Sequence, residues 1–420
     1  MKSLFVLLVS QAVLSKSLAG KLRTFLYLQP DGQVFGTGDN AYGMLGTGEA
    51  GGKAQYPTPM LYVANASDIS AGDWHSCLVE QSENAAVKCT GYNANGQLGS
   101  GVDVESSQVL VPVVGLPSPV SQVFCGEYNC FALVQSTGAA WAWGRDSHGQ
   151  LGVRGVGDET PSSSSTPRPV LAAAGSSLER VQQAAAGYLH SCLLTESGQV
   201  ACMGFGAYGQ LGSGNLDSSS FPVPIASSLL GDQFVSVACG DYHTCAVTAQ
   251  GQAACWGRDY YGQLGGNSAG DSTVPAPVLG LGLGSAESVW TGYANTFVLL
   301  RNGSVAAFGM DNYGTLGDGD TQPKPAPVMF ANETVNVREV RGGAFTTCVL
   351  LASGQVSCLG DNFYSQFGVG PGLASSYSLV GWGKSDAPTG HPTDRRPSSS
   401  PSASPSFSPS SSPTSSPVHQ

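Results

Sequence analysis

The side chains that could do chemistry are few and regularly placed. Of six histidines, His391 and His419 fall in a Ser/Pro-rich tail, and His75, His190 and His243 share one motif, G-x-x-H, opened by Gly72, Gly187 and Gly240. Three imidazoles turned toward a common axis could ligate a metal. The equivalent positions elsewhere hold Arg23, Asn129, Asn295 and Thr346, so the favoured reading is a polar side chain bridging strand backbone groups within its own unit, with no metal. The acidic residues Asp73, Glu127, Asp241, Asp259 and Asp311 sit in turns without a paired nucleophile, and Asx turns account for Asp259 and Asp311. The Gly-rich stretch GLGLGSAES at 280–288 lacks the Lys and Ser of a phosphate cradle. No catalytic, cofactor or nucleotide site is expected, and the chain reads as a non-enzyme.

What positions these residues is a repeat. NAYGMLG, NANGQLG, DSHGQLG, AYGQLG, DYYGQLG, DNYGTLG and NFYSQFG end at Gly46, Gly99, Gly152, Gly212, Gly265, Gly317 and Gly368, so the intervals are 53, 53, 60, 53, 52 and 51 residues. The longest interval carries DETPSSSSTPRP, a surface loop by composition. A second motif opens at Gly20, Gly72, Gly126, Gly187, Gly240, Gly292 and Gly343, always 25 to 27 residues before the closing Gly. The unit is a fixed cassette joined by variable connectors.

Within the cassette, HTCAVTAQGQAACWG at 243–257 alternates β-prone runs around Gly251. A three-residue hairpin loop with Gly251 left-handed sets Thr248 opposite Gln252 and Cys245 opposite Cys255. The other copies test that register, because directly opposed side chains share one volume. Four units carry two cysteines there: Cys77 with Cys89, Cys192 with Cys202, Cys245 with Cys255, and Cys348 with Cys358. The remaining units set Phe25 against Gly36, Phe131 against Ala142 and Phe297 against Ala307, large against small. Four cross-strand disulfides are expected. Cys125 and Cys130 could form a fifth, leaving Cys239 as the odd thiol; the alternative is that Cys125 and Cys239 are small buried apolar residues.

Repeated Gly-rich hairpins without a helical period fit short antiparallel sheets arranged radially, an all-β seven-bladed β-propeller closed into a ring. Trp74, Trp143, Trp256 and Phe308 read as core packing between blades. The cassette [AC]-G-x-x-[HN]-[TS]-[CF] followed by G-x-[ND]-x-x-G-Q-L-G resembles the repeat of the regulator of chromosome condensation family across residues 20–383, although Ser365 replaces the turn Gly and Arg23 and Thr346 replace the His. The resemblance implies a seven-bladed propeller. It also implies a spread of functions: an exchange factor for a Ran-type GTPase, ubiquitin-ligase subdomains, a plant ultraviolet receptor and bacterial enzyme-inhibitor propellers.

Both ends carry further signals. Residues 1–19 have an early Lys, an apolar stretch and small residues at Ser17 and Ala19, the layout of a cleaved secretory signal. The alternative makes Leu14 to Ala19 the first strand of blade one. With the signal removed, YSLVGWG at 377–383 would return to complete blade one, so that residues 376–383 pair beside residues 22–36. Residues 384–420 hold almost nothing that can be buried and read as a disordered, O-glycosylated tail. Asn65, Asn302 and Asn332 match the N-glycosylation pattern, and paired cysteines favour an oxidising compartment.

The chain has 18 Lys and Arg against 29 Asp and Glu, a formal net charge of −11, with no basic stripe among the repeats, which argues against nucleic-acid binding. Beyond the N-terminus no apolar run is long enough to span a membrane. The leading reading is a secreted, monomeric, non-enzymatic propeller that binds an unidentified protein or glycan through rim loops after Gly46, Gly152 or Gly265. The alternative is an intracellular exchange factor or regulator of a small GTPase. Exchange needs a wedge, and the Ser-rich loop near 157–168 lacks the apolar residues of one.

Overall fold

The structure is a computed structural model that describes residues 16–382 except 83–84, 154–161, 173–177, 179, 228–232, 267–269 and 334–335. Its strands form seven four-stranded antiparallel sheets, each built from four consecutive strands. Blade one spans strands Leu18–Gly20, Thr24–Leu28, Val34–Asp39 and Lys53–Pro59; blade seven spans Val337–Gly342, Thr346–Leu351, Val356–Asp361 and Ser375–Gly381. The first strands of successive blades touch one another around the axis, and that of blade one contacts those of blades two and seven. The ring is closed.

Closure does not use a returning strand. The segment Ser375–Gly381 pairs with Val356–Asp361, with Cys358 opposite Val380, and completes blade seven. Blade one is completed from its own N-terminal side: Leu18 pairs with Tyr27 and Ala19 with Leu26, and both are buried. The expected domain boundary at residue 20 therefore falls inside a strand. Ser15 lies outside the described residues, whereas Lys16 and Ser17 are already fixed, because the inner edge of each blade needs partners for its N–H groups and acidic side chains supply them here.

The hairpin register agrees with the side-chain pairing logic in six blades. Cys245 faces Cys255, Phe131 faces Ala142 and Phe297 faces Ala307. Blade one differs by one residue: Leu26, not Phe25, faces Gly36, and Phe25 faces Thr37. The cause is the turn before the second strand. Gly72 donates its N–H to His75 O at 2.9 Å, and the group doing so in blade one is Lys21, to Thr24 O at 3.4 Å, so Lys21 rather than Gly20 opens the unit. Thr24, not Arg23, then holds the histidine position. The large-against-small rule survives, since a Cβ on Gly36 would come within 2.9 Å of Leu26.

The repeated letters have local causes. In the five closing turns that carry Gln, its side chain accepts a backbone N–H two residues earlier, as Gln210 does from Tyr208 at 3.0 Å and Gln263 from Tyr261 at 2.8 Å. The Leu that follows is buried, Leu211 at 0% exposure, and the closing glycines Gly99, Gly212 and Gly265 pack on Trp143, Trp256 and Phe308 of the next blade. Trp256 donates Nε1–H to Gln210 O at 3.0 Å, and Trp143 to Gln97 O at 2.9 Å. Trp143, Trp256 and Phe308 are buried between blades as expected. Trp74 is not; it is half-exposed at one end of the ring.

Candidate binding face and axial mouth

The turns that carry the G-x-x-H motif and the closing G-Q-L-G turns lie at the same end of every blade, because the second strand begins opposite the end of the third: His75 faces Gly91 and His243 faces Gly257. The hairpin loops such as that at Gly251 lie at the other end. One face therefore collects the residues just before each histidine position and just before each turn glycine.

The histidines hold the ring together. His190 Nε2 is 2.9 Å from Thr244 Oγ1 and His243 Nε2 is 3.0 Å from Thr296 Oγ1, each in the following blade. Asn129 Nδ2 donates to Ser191 Oγ at 3.3 Å in the same way, while His75 Nε2 meets Cys130 Sγ at 3.0 Å. The sequence reading of a bridge within one unit is corrected: the contact staples neighbouring blades, because the ring points along the blade interface rather than across the strand. His75, His190 and His243 are not brought together. Each is buried without compensation for charge, and burial pushes each down to about 3. The motif's glycine follows from this packing, since a Cβ on Gly240 would lie 2.2 Å from His243 Cε1.

Inside the axial mouth stand Lys21, Asp73, Glu127 and Asp241, from the first, second, third and fifth blades. All three carboxyl groups are buried. Burial and then Glu127 hold Asp73 well above the usual carboxylate range, burial and then Asp241 do the same to Glu127, and burial pushes Asp241 up to about 7. Glu127 and Asp241 each face the other's carboxyl, so like charge adds to burial in raising Glu127. Burial alone would lower Lys21, yet Glu127, Asp73 and Asp241 together hold it above its ordinary value. Lys21 Nζ and Asp73 Oδ1 are shielded from solvent without hydrogen-bond partners. Three carboxyls around one ammonium make the mouth a place for protons or for an added positive charge.

Around that mouth runs a half-exposed aromatic surface. Tyr42 packs on Trp74 and Tyr92 with ring centroids 5.4 and 4.8 Å away, and Tyr188 on Tyr128 and Tyr242 at 6.4 and 5.9 Å. Guanidinium groups stack on it: Arg23 lies 4.3 Å from Trp74 and 4.7 Å from Tyr364, Arg145 bridges Tyr128 and Tyr188, and Arg258 covers Tyr208 at 4.8 Å. A cleft of about 340 Å³ lies among Tyr42, Trp74, Tyr92, Tyr128 and Arg145. Tyr260 and Phe363 project from the face at 72% and 63% exposure. Sequence reasoning missed this surface. Its signal was the aromatic residue before the turn glycine in Tyr42, Tyr208, Tyr261 and Tyr313, which periodicity alone assigns to a turn and not to a surface.

The other residues singled out from the sequence fall away from this face. Cys77–Cys89, Cys192–Cys202, Cys245–Cys255 and Cys348–Cys358 are bonded across their hairpins with Cα atoms 4.0 to 4.1 Å apart. Cys125–Cys130 is bonded between the first two strands of blade three, and Cys239 is a buried free thiol. Asn65 and Asn302 are exposed near the opposite end, in the connector before blade two and in a hairpin turn. Asn332 sits in the turn Phe330–Glu333 between blades six and seven, and its side chain lies outside the described residues. So do the tail and most of the insertion after Gly152. Among the described residues no helix is long and apolar enough to cross a membrane.

A closed ring of seven such blades, with cross-blade staples and a shaped end face, defines a seven-bladed repeat propeller. The chain belongs to the RCC1-like domain family, which matches residues 9–279, and the regulator of chromosome condensation (RCC1) repeat matches residues 302–350. It is 31% identical over 308 residues to the ultraviolet-B receptor UVR8 of Arabidopsis thaliana, covering 73% of this chain and 67% of the receptor. It is 29% identical over 346 residues to the human E3 ubiquitin-protein ligase HERC2, covering 81% of this chain and only 7% of the ligase. The structure of Prp20p from Saccharomyces cerevisiae, studied for binding to Gsp1p and histones, superposes with a TM-score of 0.70 at 20% identity, covering 85% of this chain and 87% of that one. That likeness establishes the fold.

Proposed function

We propose that this protein is a secreted, non-enzymatic propeller that binds a protein or glycan partner through the aromatic and guanidinium face around the axial mouth. The observation that carries this reading is the continuity of that face: half-exposed rings from most blades in mutual contact, with Arg23, Arg145 and Arg258 stacked on them. Rigid aromatics and Arg on a preformed concave surface are the usual anchors of interaction sites. The three N-glycosylation sequons fall toward the opposite end, so glycans there would leave this face open. Bonded cysteine pairs in the hairpins accord with an oxidising compartment. No cofactor is needed for such a role, and the acidic mouth disfavours a nucleic-acid partner.

Secretion places one constraint on the leader. Lys16, Ser17 and Leu18 are bound into blades one, two and seven, so a signal peptidase cut that preserves the ring falls before Lys16, upstream of the small residues at Ser17 and Ala19. The test combines two measurements on material recovered from the culture medium. Mass spectrometry of the mature N-terminus should place it before residue 16, and Trp74→Ala with Tyr42→Ala should lose the captured partner while an opposite-face substitution retains it. A protein retained in the cytosol with Met1 present would defeat the reading.

The second reading, regulation of a small GTPase, draws on the fold shared with Prp20p. It predicts accelerated nucleotide release from a Ran-type GTPase on adding the full chain. The secreted reading predicts no change in that rate.

A further inference from the structure

One repeat position decides how each loop after the closing turn is held. Asn40, Asn93 and Asn362 accept a backbone N–H with Oδ1, from Leu45, Leu98 and Phe367 at 3.0, 2.9 and 2.9 Å. Their Nδ2 groups donate into the loop, to Glu49 O at 2.9 Å, Val104 O at 3.0 Å and Leu373 O at 2.8 Å. Blades three and five carry Asp146 and Asp259 there, which accept the same N–H from Leu151 and Leu264 at 2.9 Å each, and in blade six the residue is Asp311. Its Oδ1 keeps the first bond, accepting Leu316 N–H at 2.8 Å. Where the amides have a donor it has Oδ2, an acceptor, fully buried and without a hydrogen-bond partner.

The Asp311 carboxylate faces more oxygen. Asp311, Asp318 and Asp320 each bring one carboxylate oxygen within 4.8 Å of the other two. Lys324 Nζ neutralises part of the cluster from the solvent side, 2.9 Å from Asp318 Oδ2 and 2.6 Å from Asp320 Oδ2. It is not bonded to Asp311. Three carboxylates against one ammonium leave a surplus of negative charge around a buried unpaired oxygen, which is costly unless a cation or proton completes it. An all-oxygen set from one short loop, with room for water on the exposed side of Asp320, is the donor chemistry of a hard divalent ion with flexible coordination.

We propose that Asp311, Asp318 and Asp320 form a calcium site in the loop of blade six. The ion takes the place that the asparagine amides occupy in the loops of blades one, two and seven and fixes the loop beside Tyr313, which packs on Phe345 at the edge of the aromatic face with centroids 5.0 Å apart. Binding in the millimolar to submillimolar range is expected for a site with few charged ligands and a competing lysine.

The test uses the full chain, stripped with a chelator. Adding about 5 mM calcium chloride should raise the melting temperature by about 2 °C or more, and terbium should show emission sensitised by Tyr313 that calcium displaces. Asp311→Asn restores the residue found natively at Asn40, Asn93 and Asn362 and so should fold; it should melt no lower than the ion-free wild type and lose both responses. Lys324→Gln should bind calcium more tightly. An equal calcium response in wild type and Asp311→Asn would overturn the assignment, and so would no wild-type response together with stabilisation on acidification through pH 7, which would give the place to a proton.

Discussion

Glu339 accepts the backbone N–H of Leu18 at 3.2 Å, across 321 residues of sequence. Its other oxygen accepts Ser17 N–H at 3.0 Å, and Arg341 holds the carboxylate at 3.3 Å. Asp68 does the matching work on the other side, taking Lys16 N–H and Lys16 Nζ at 3.0 Å each and Val123 N–H at 2.9 Å. The first strand of the ring is thus clamped between blades seven and two by two carboxylates, with Leu18 buried against Leu350, Val356 and Phe367.

Glu339→Ala should therefore loosen closure, leaving two backbone donors and Arg341 unpaired at a cost of about 2–3 kcal/mol. Urea unfolding should show a lowered midpoint, and hydrogen exchange should show the loss concentrated in residues 16–28. A variant as stable as wild type would mean that the first strand is held by apolar packing alone.

Non-reducing peptide mapping should recover the five cysteine pairs and a single free thiol at Cys239, which reacts with alkylating reagents only after denaturation because burial pushes it up to about 12. Each short-loop bridge should contribute about 2–3 kcal/mol. Eight or more free thiols in freshly secreted protein would contradict the pairing.

Stability should fall on acidification through the histidines. The folded-state value of His243 is about 3 against an ordinary 6.5, so the neutral ring's contribution is complete above 6.5 and is lost as pH falls from there toward 3, by up to about 1.4 kcal/mol per pH unit per group. His243→Asn, the residue already used at Asn129 and Asn295, should flatten the profile between pH 6.5 and 5. Asp241 works in the other sense, its raised value of about 7 costing stability as pH rises from 3.8 through 7. Asp241→Asn should accordingly help at pH 8 and not at pH 4. Thermal melts across pH read both.

The two kinds of glycine should separate in a mutational pair. Gly212 has φ +67°, and a Cβ there would sit 2.7 Å from Trp256 Nε1, so Gly212→Ala should cost about 3 kcal/mol or more from strain and overpacking. Gly354, with φ +82° and nothing within 4 Å, should cost only the conformational part, about 1–2 kcal/mol, on Gly354→Ala. Equal losses would remove the claim that the closing glycine is required by the neighbouring blade.

The sequence alone determined the repeat, the hairpin register and the disulfide partners, because these depend on residues within about fifty positions, a span over which β pairing leaves paired side chains that must match in size. Cys245 with Cys255 and Phe131 with Ala142 are legible for that reason. Blade one was misread by a residue because Lys21 stands where other units have glycine, and it is tolerated there only since Thr24, unlike a histidine, leaves room above it. Tertiary structure decided the rest. Whether strand one came from the head or the tail of the chain depended on Glu339 and Asp68 meeting Lys16, Ser17 and Leu18, and the aromatic face depended on ring curvature bringing Arg23 within 4.7 Å of Tyr364. Such contacts join different blades, the Glu339 pair across 321 residues, and no spacing within one repeat encodes them; they exist because seven blades of this width close on themselves and turn one end of every strand pair toward a common mouth.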